Sequence, residues 1–269
     1  MSGFRPEPAP IAAPRRSVMP HGPVLLAAAL LCTGAEAADR LMVGLGTDHG
    51  SGRYGSASTT TIDTFSLVAR YDTDRVSLRL SMPTLRVRGP ADVLRPQDSA
   101  AATEATRLGV NGGGDAVASA SVVAWQAPDA RSTLEIGARL KLPTSDRGTG
   151  LGTGKPDTGV FAHFYKGLGP ATLLIGGGYK FVGKPAGSGY RDIAGLTAGA
   201  VWQMSDDTAM GGLFEARQSV LPGLANPREV TVYVTHRLAR HWLGQIYVYK
   251  GLNDASPDLG SGTLLSYVF

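Results

Sequence analysis

Residues 133–142 carry charged side chains at alternate positions. Glu135, Arg139 and Lys141 fall on one side of this two-residue repeat, and Leu, Ile and Ala residues fall on the other. A two-residue repeat is the side-chain period of a β-strand, so the segment would present one charged face and one apolar face. Charged side chains that line an enclosed passage select ions by their sign. The spacing therefore predicts a strand whose charged face either lines such a passage or, in a soluble β-sandwich, faces water.

A histidine and a serine at the right spacing would instead indicate an enzyme. Lipid hydrolases of outer membranes carry a His and a Ser two apart on one strand, so that the imidazole can activate the hydroxyl. None of His163, His236 and His241 is followed by a Ser at that spacing. A catalytic pair assembled from different strands stays open. We therefore predict no catalytic residue and keep a lipid hydrolase as an alternative function.

The glycine-rich segment 148–154 does not match a phosphate-binding Walker loop. Thr149 stands where the first Gly of that loop belongs, and Pro156 stands where a Ser or Thr belongs. The pair Asp48-His49 has no spaced partners of the kind that a metal site needs. We therefore predict no cofactor and no metal.

The elements that carry these residues are short segments of strand character, about twelve in number. Their short connections centre on Asp72-Thr73-Asp74, Pro128-Asp129, residues 167–170, Ser205-Asp206-Asp207 and Arg240-His241. Their long connections cover about residues 47–58, 89–114, 144–157, 183–191, 219–227 and 252–258. Strict alternation of tight turns and long loops is typical of a single antiparallel transmembrane β-barrel with both termini on the turn side.

The composition agrees with an all-β chain of one large domain. The 269 residues include 36 Gly and only 18% charged residues. That is too few charges for a disordered chain, and no apolar run is long enough for a spanning helix. The 26 basic and 22 acidic residues are too evenly balanced to indicate a nucleic-acid partner.

The last strand organises the predicted barrel. Leu265, Tyr267 and the terminal Phe269 share one face of it. A soluble protein that exposed such an edge would risk aggregation, whereas pairing with the first strand closes a barrel and lipid accepts the apolar face. The ending resembles the carboxy-terminal strand of bacterial outer-membrane barrels. That resemblance implies recognition by the outer-membrane assembly machinery.

Aromatic residues cluster beside the short turns. Rings of this kind partition to the headgroup level of a bilayer, so the cluster predicts an aromatic belt at one membrane interface. A soluble β-sandwich, the alternative fold, would spread its aromatic residues along the strands. The predicted belt consists of Tyr71, Trp125, Trp202, Trp242, Tyr267 and Phe269.

The first 37 residues have the features of a secretion signal. Arg15 and Arg16 precede a short apolar run at residues 24–31, and Ala35-Glu36-Ala37 is a small-x-small cleavage site. We predict a cleaved signal peptide over residues 1–37 and an outer-membrane β-barrel over residues 38–269. Cys32 lies in the predicted signal, so the exported chain would contain no cysteine.

Outward apolar faces would leave the charged faces of the strands lining the lumen. The inward set is then Arg70, Arg79, Glu135, Arg139, Lys141, Lys180, Glu215 and Arg217. Four basic residues lie toward the long loops, where a ring of positive charge favours anions. They are Arg139, Lys141, Lys180 and Arg217. The alternative is that the basic residues pair with Glu135, Glu215 and loop carboxylates and fill the lumen.

Three segments resemble a family of outer-membrane barrels described as porin-like transporters of the phenol meta-degradation pathway. They are residues 141–144, residues 152–157 and residues 251–260, the last ahead of the closing Tyr267-Val268-Phe269. Similarity extends over the chain from about residue 38, although Ser145-Asp146 stands where the family usually has Gly. The resemblance implies a barrel that acts as a channel in the lipid bilayer.

Within this class, several functions are compatible with the sequence. Passive passage of small solutes, weakly selective for anions, is the main prediction. Uptake of small hydrophobic or aromatic compounds is an alternative, with Phe161, Tyr233, Tyr247 and Tyr249 as candidate inward rings. A structural or interaction barrel with a filled lumen is another, in which the loop at residues 89–114 folds inward as a plug.

Overall fold

The computed structural model describes residues 39–54, 58–90, 107–145 and 149–269. The predicted signal peptide and Cys32 lie outside these residues. No helix in the described ranges is long and apolar enough to cross a membrane. The described strands are β1 (Arg40–Gly52), β2 (Thr60–Asp72), β3 (Val76–Pro90), β4 (Arg107–Gly113), β5 (Val117–Gln126), β6 (Ser132–Lys141), β7 (Asp157–Leu168), β8 (Ala171–Phe181), β9 (Ile193–Ser205), β10 (Thr208–Arg217), β11 (Arg228–Ala239), β12 (Trp242–Gly251) and β13 (Leu259–Val268).

The strands form one closed antiparallel barrel. Strand β13 pairs with β1 in a continuous register from Met42↔Val268 to Ser51↔Leu259, so the sheet has no free edge at this seam. Strands β4 and β5 both pair with β3 and share one place in the wall. The barrel therefore has twelve strand positions plus one extra strand. This confirms the predicted fold and excludes a β-sandwich.

The break between β4 and β5 is a β-bulge opposite Pro83. The pairing passes from Ser81↔Val117 to Thr84↔Gly113, so residues 114–116 oppose only two residues of β3. Pro83 has no N–H to donate, and its carbonyl accepts the Gly114 N–H at 2.8 Å. The extra residue bends the strand and directs a side chain into the barrel.

Short and long connections lie at opposite ends of the barrel, as predicted. The short ones are residues 73–75, 127–131, 169–170, 206–207 and 240–241. Both described ends of the chain lie on this side, where the Phe269 N–H donates to the Leu41 carbonyl at 2.9 Å. The predicted loop bounds were wrong at residues 47–52 and 107–113, which are strand. Backbone pairing with neighbouring strands continues there although most of the residues are polar or glycine.

Large apolar side chains cover the outside of the barrel. Val160, Ile175 and Ile246 are 54%, 55% and 62% exposed, and each lies on an outward face that alternates with inward residues. Contiguous apolar surface of this kind is the band that a membrane barrel presents to lipid. All three tryptophans of the predicted belt are exposed beside short turns. Trp242 packs edge-to-face on Tyr267, their ring centroids 5.2 Å apart.

Tyr71 and Phe269, the other members of that belt, lie at the same end of the barrel. The Tyr71 hydroxyl donates to the Asp39 carboxylate at 2.6 Å. The Phe269 ring packs edge-to-face on the Tyr267 ring, their centroids 4.9 Å apart. These contacts hold Asp39, the first described residue, and Phe269 at the short-turn end of the barrel.

Candidate functional site

A cavity of about 410 Å³ occupies the half of the lumen nearest the long loops. Charges of both signs line it in equal number. The basic residues are Arg79, Arg139, Lys141, Lys180 and Arg217. The acidic residues are Asp48, Asp115, Asp157, Glu215 and Glu229. The cavity wall is therefore strongly charged and close to neutral overall.

Arg70 and Glu135 also lie on inward faces, closer to the short turns. The Arg70 Nε donates to the Asp72 carboxylate at 2.8 Å. Glu135 accepts hydrogen bonds from the Ser121 hydroxyl and, at 3.0 Å, from the Tyr165 hydroxyl. Glu135 makes no ion pair with a cation among the described residues, so it is not the acidic partner that the sequence suggested.

The inward basic residues form a row across adjacent strands. Direct cross-strand partners follow one another through β2, β3, β5, β6, β7 and β8. Four of the six positions are cationic, which concentrates positive potential on one side of the lumen. This basic row consists of Arg70, Arg79, Ser119, Arg139, Gly159 and Lys180.

The other side of the lumen carries carboxylates. Glu215 of β10 is the direct cross-strand partner of Glu229 of β11. Asp48 of β1 accepts hydrogen bonds from the hydroxyls of Tyr247 at 2.9 Å and Tyr249 at 3.0 Å. We call Asp48, Glu215 and Glu229 the acidic side. The basic row and the acidic side thus lie on different strands, which the sequence did not predict. Arg217 of β10 lies with the acidic side and offsets part of its charge.

Ion pairs compensate three of the four basic residues that were predicted to form a ring. Lys141 Nζ lies 3.0 Å from an Asp115 oxygen and 3.4 Å from an Asp157 oxygen. Lys180 Nζ lies 2.9 Å from Asp157. The Arg217 guanidinium lies 3.5 Å from Glu229. The pairing carboxylates are therefore Asp115, Asp157 and Glu229. The sequence analysis named none of them, although Asp157 belongs to the predicted loop at residues 144–157 and so to the loop carboxylates of the filled-lumen alternative.

Arg139 and Glu215 are the exceptions to this pairing. Neither makes an ion pair or a side-chain hydrogen bond with a residue that the structure describes. The Arg139 guanidinium lies 5.8 Å from the centroid of the Phe161 ring, and its Nε is buried without a hydrogen-bond partner among the described residues. Both side chains line the cavity. They retain hydrogen-bonding capacity for a solute.

The loop between β6 and β7 folds into the barrel mouth. Leu151 packs on the buried cluster of Ile62, Leu85 and Val87. At the base of the loop, the Ser145 N–H and hydroxyl both donate to Asp115 Oδ1, at 3.1 and 2.7 Å. Ser145 stands where the resembled family usually has Gly, and its hydroxyl supplies one of these bonds. This loop therefore folds inward, and residues 91–106 of the predicted plug lie outside the described residues.

Glycines in the wall allow aromatic rings to lie flat against it. A Cβ at Gly260 would lie 2.1 Å from the Tyr249 ring, and a Cβ at Gly262 would lie 2.3 Å from the Tyr247 ring. Phe161 lies over Gly137 in the same way. The candidate inward rings of the sequence analysis thus occupy space at the wall and leave the centre of the cavity open.

Gly260→Ala is expected to lower the free energy of unfolding by roughly 2 kcal/mol, because the methyl group would displace the Tyr249 ring and its hydrogen bond to Asp48. Denaturant titration in lipid vesicles measures this change. Gly109→Ala is the matched control, since nothing lies within 4 Å of the Cβ it would add. Equal effects of the two substitutions would contradict the packing argument.

Apolar side chains narrow the lumen below the cavity. Tyr165, Leu174, Val201, Leu213 and Tyr233 form a buried cluster on the inward faces of β7 to β11. Tyr233 is 1% exposed. The charged cavity therefore has an apolar floor toward the short turns.

Many solved structures share this fold, and two of them illustrate the similarity. An outer membrane channel from Pseudomonas putida F1 superimposes with a TM-score of 0.65 at 17% sequence identity, over 88% of this chain and 98% of that one. The KdgM porin in complex with disordered oligogalacturonate gives a TM-score of 0.52 at 10% identity, over 84% and 99% of the two chains. A scan against protein-family models and a search of the curated proteins found no match. The fold is that of porin-like outer-membrane β-barrels.

Proposed function

We propose that the chain is a bacterial outer-membrane channel through which small solutes diffuse passively. The observation that carries this proposal is the charged cavity inside a closed barrel whose outer surface is apolar. A buried set of charges around an open space stabilises polar solutes, while the apolar outside requires lipid. Both similar structures named above are channels or porins, which supports the same function.

The charge balance of the cavity supports weak ion selectivity. Five cations and five anions line it, so neither sign of solute is strongly excluded. Arg139 makes no ion pair with a described carboxylate and attracts anions, whereas Glu215, which makes no ion pair with a described cation, opposes them. Weak anion selectivity therefore stays a prediction that depends on the balance between these two side chains.

Uptake of small aromatic solutes is the second candidate function. The Phe161 and Tyr247 rings line the cavity, so an aromatic solute could stack there. The channel and the aromatic function differ in what they predict for an uncharged, non-aromatic solute. A passive channel would let glycerol pass as readily as an aromatic solute of similar size. A channel for aromatic compounds would pass the aromatic solute faster.

Transport is favoured over lipid hydrolysis. The centroid of the His163 ring lies 5.1 Å from that of Phe161 and 6.2 Å from that of Tyr165. The histidine therefore packs among aromatic rings of the lumen wall. The nearby Ser121 hydroxyl donates to Glu135. A serine nucleophile needs a base that accepts its proton, and the histidine is the group that normally does so.

The carboxy-terminal strand supports a role for the assembly machinery as a partner. The outward Leu265 and Tyr267 of β13 and the terminal Phe269 form an exposed aromatic and apolar ending at the short-turn rim. We propose that this ending is the recognition element predicted from the sequence.

Planar-bilayer recording of the purified protein tests the channel. Wild-type protein is expected to conduct, and Arg139→Glu is expected to move the reversal potential in a salt gradient toward cation preference, because a cation of the cavity becomes an anion. Arg86→Glu on the outer face of β3 is the matched control and should leave the reversal potential unchanged. Absence of conductance by wild-type protein would support the filled-lumen barrel instead.

A further inference from the structure

Two charged residues of the cavity, Arg139 and Glu215, have opposite signs and make no ion pair with a residue that the structure describes. They belong to β6 and β10, and both line the same open space. An ionised side chain in a narrow cavity without a protein partner is stabilised by a ligand of opposite charge or by water.

The surrounding charges extend this polarity across the lumen. Arg139 belongs to the basic row, whereas Glu215 belongs to the acidic side with Asp48 and Glu229. A field directed across a passage orients a solute that carries both charges and gives it a favourable energy in one direction. The Phe161 ring lies beside the Arg139 guanidinium and holds that cation at the wall, where its N–H groups can donate hydrogen bonds to a carboxylate.

We propose that this cavity binds small zwitterions of the amino-acid type, with the carboxylate at Arg139 and the ammonium group at Glu215. The inference rests on the proposed channel function and names its preferred class of solute. A simple anion at Arg139 would leave Glu215 without a partner and be repelled by it. A simple cation at Glu215 would meet the same difficulty with Arg139.

Proteoliposome uptake of three matched solutes tests the inference. β-Alanine is a zwitterion, propionate carries only the carboxylate, and propylammonium carries only the cation. Wild-type protein is expected to take up β-alanine about tenfold faster than either of the others, because it makes two charge-assisted hydrogen-bonded contacts at once. Equal uptake of the three solutes would overturn the inference.

Variants separate binding from a general effect of charge. Arg139→Gln is expected to raise the uptake rate of propylammonium relative to that of β-alanine. Glu215→Gln is expected to raise the uptake rate of propionate relative to that of β-alanine. The double exchange of Arg139→Glu with Glu215→Arg should restore the β-alanine preference, since it keeps one charge of each sign. Arg86→Gln, on the outer face of β3, should leave all three ratios unchanged. Unchanged ratios in both single variants would overturn the proposal.

Glycerol uptake by wild-type protein distinguishes the failure of this inference from failure of the channel itself. Passage of glycerol together with equal rates for the three charged solutes would overturn the zwitterion preference and leave the channel standing. Absence of uptake for all four compounds would overturn both. Heat-dependent electrophoretic mobility verifies that each variant has folded as a barrel before its ratios are compared.

Discussion

Ile136→Arg is expected to make folding into a bilayer less favourable by about 2–4 kcal/mol, the range for a cation placed at the membrane midplane on a barrel surface. Ile136 lies in the middle of β6 on the outward face and is 44% exposed. Its immediate neighbours Glu135 and Gly137 point inward. A guanidinium at this position would therefore enter hydrocarbon with no protein partner. Denaturant titration in lipid vesicles measures the loss.

Thr64→Arg is the matched control for this substitution. Thr64 lines the cavity and is the direct cross-strand partner of Asp48, so a guanidinium there would lie in a polar space beside a carboxylate. Its effect on the free energy of folding should be much smaller. An equal or larger loss in Thr64→Arg would mean that the inward and outward faces have been assigned the wrong way round.

Asp115→Ala is expected to lower the free energy of unfolding by about 3 kcal/mol, the lower end of the range for breaking a buried ion pair. The Asp115 carboxylate is buried and binds Lys141 at 3.0 Å and two groups of Ser145. Lys141 keeps Asp157 at 3.4 Å, which limits the loss. The base of the inward loop also loses its anchor, so single-channel conductance should rise. Denaturant titration and bilayer recording measure the two effects.

The exposed ion pair of Arg53 with Asp254 provides the control for Asp115. Asp254 is 70% exposed on its side chain, and pairs of this kind contribute at most about 1 kcal/mol because water screens them. Asp254→Ala should therefore change the free energy of unfolding and the conductance much less than Asp115→Ala does. If Asp115→Ala destabilised the barrel without any rise in conductance, the loop would not be what restricts the mouth.

The inward loop could not be identified from the sequence. Residues 142–156 and the longer segment at residues 89–114 are both glycine-rich and contain no aromatic residue. The latter was the predicted plug, and its residues 91–106 lie outside the described part of the chain. Leu151 enters the barrel because Ile62, Leu85 and Val87 provide an apolar surface for it at the mouth. These three residues come from strands that lie far from the loop in sequence. A loop's position depends on such contacts more than on its own residues.

The pairing of charges in the lumen could not be predicted from the sequence either. Asp115 precedes a segment of Ala, Val and Ser whose facing could not be assigned, and only the bulge opposite Pro83 directs its carboxylate inward. Asp157 lies at the predicted end of a loop, yet it begins β7 as the cross-strand partner of Lys141. One residue of difference in register would move either carboxylate to the other face of the wall.

The sequence by itself determined that this chain forms an antiparallel barrel with short turns at one end and apolar faces outward. It could do so because the two-residue repeat, the turn residues and the aromatic ending are local properties of each strand. Three features became visible only in the folded chain: basic and acidic residues lie on different strands of the lumen wall, Asp115, Asp157 and Glu229 pair with its cations, and Arg139 and Glu215 make no ion pair with a described residue. Those features depend on register between strands and on closure of the wall, which bring together side chains distant in the chain.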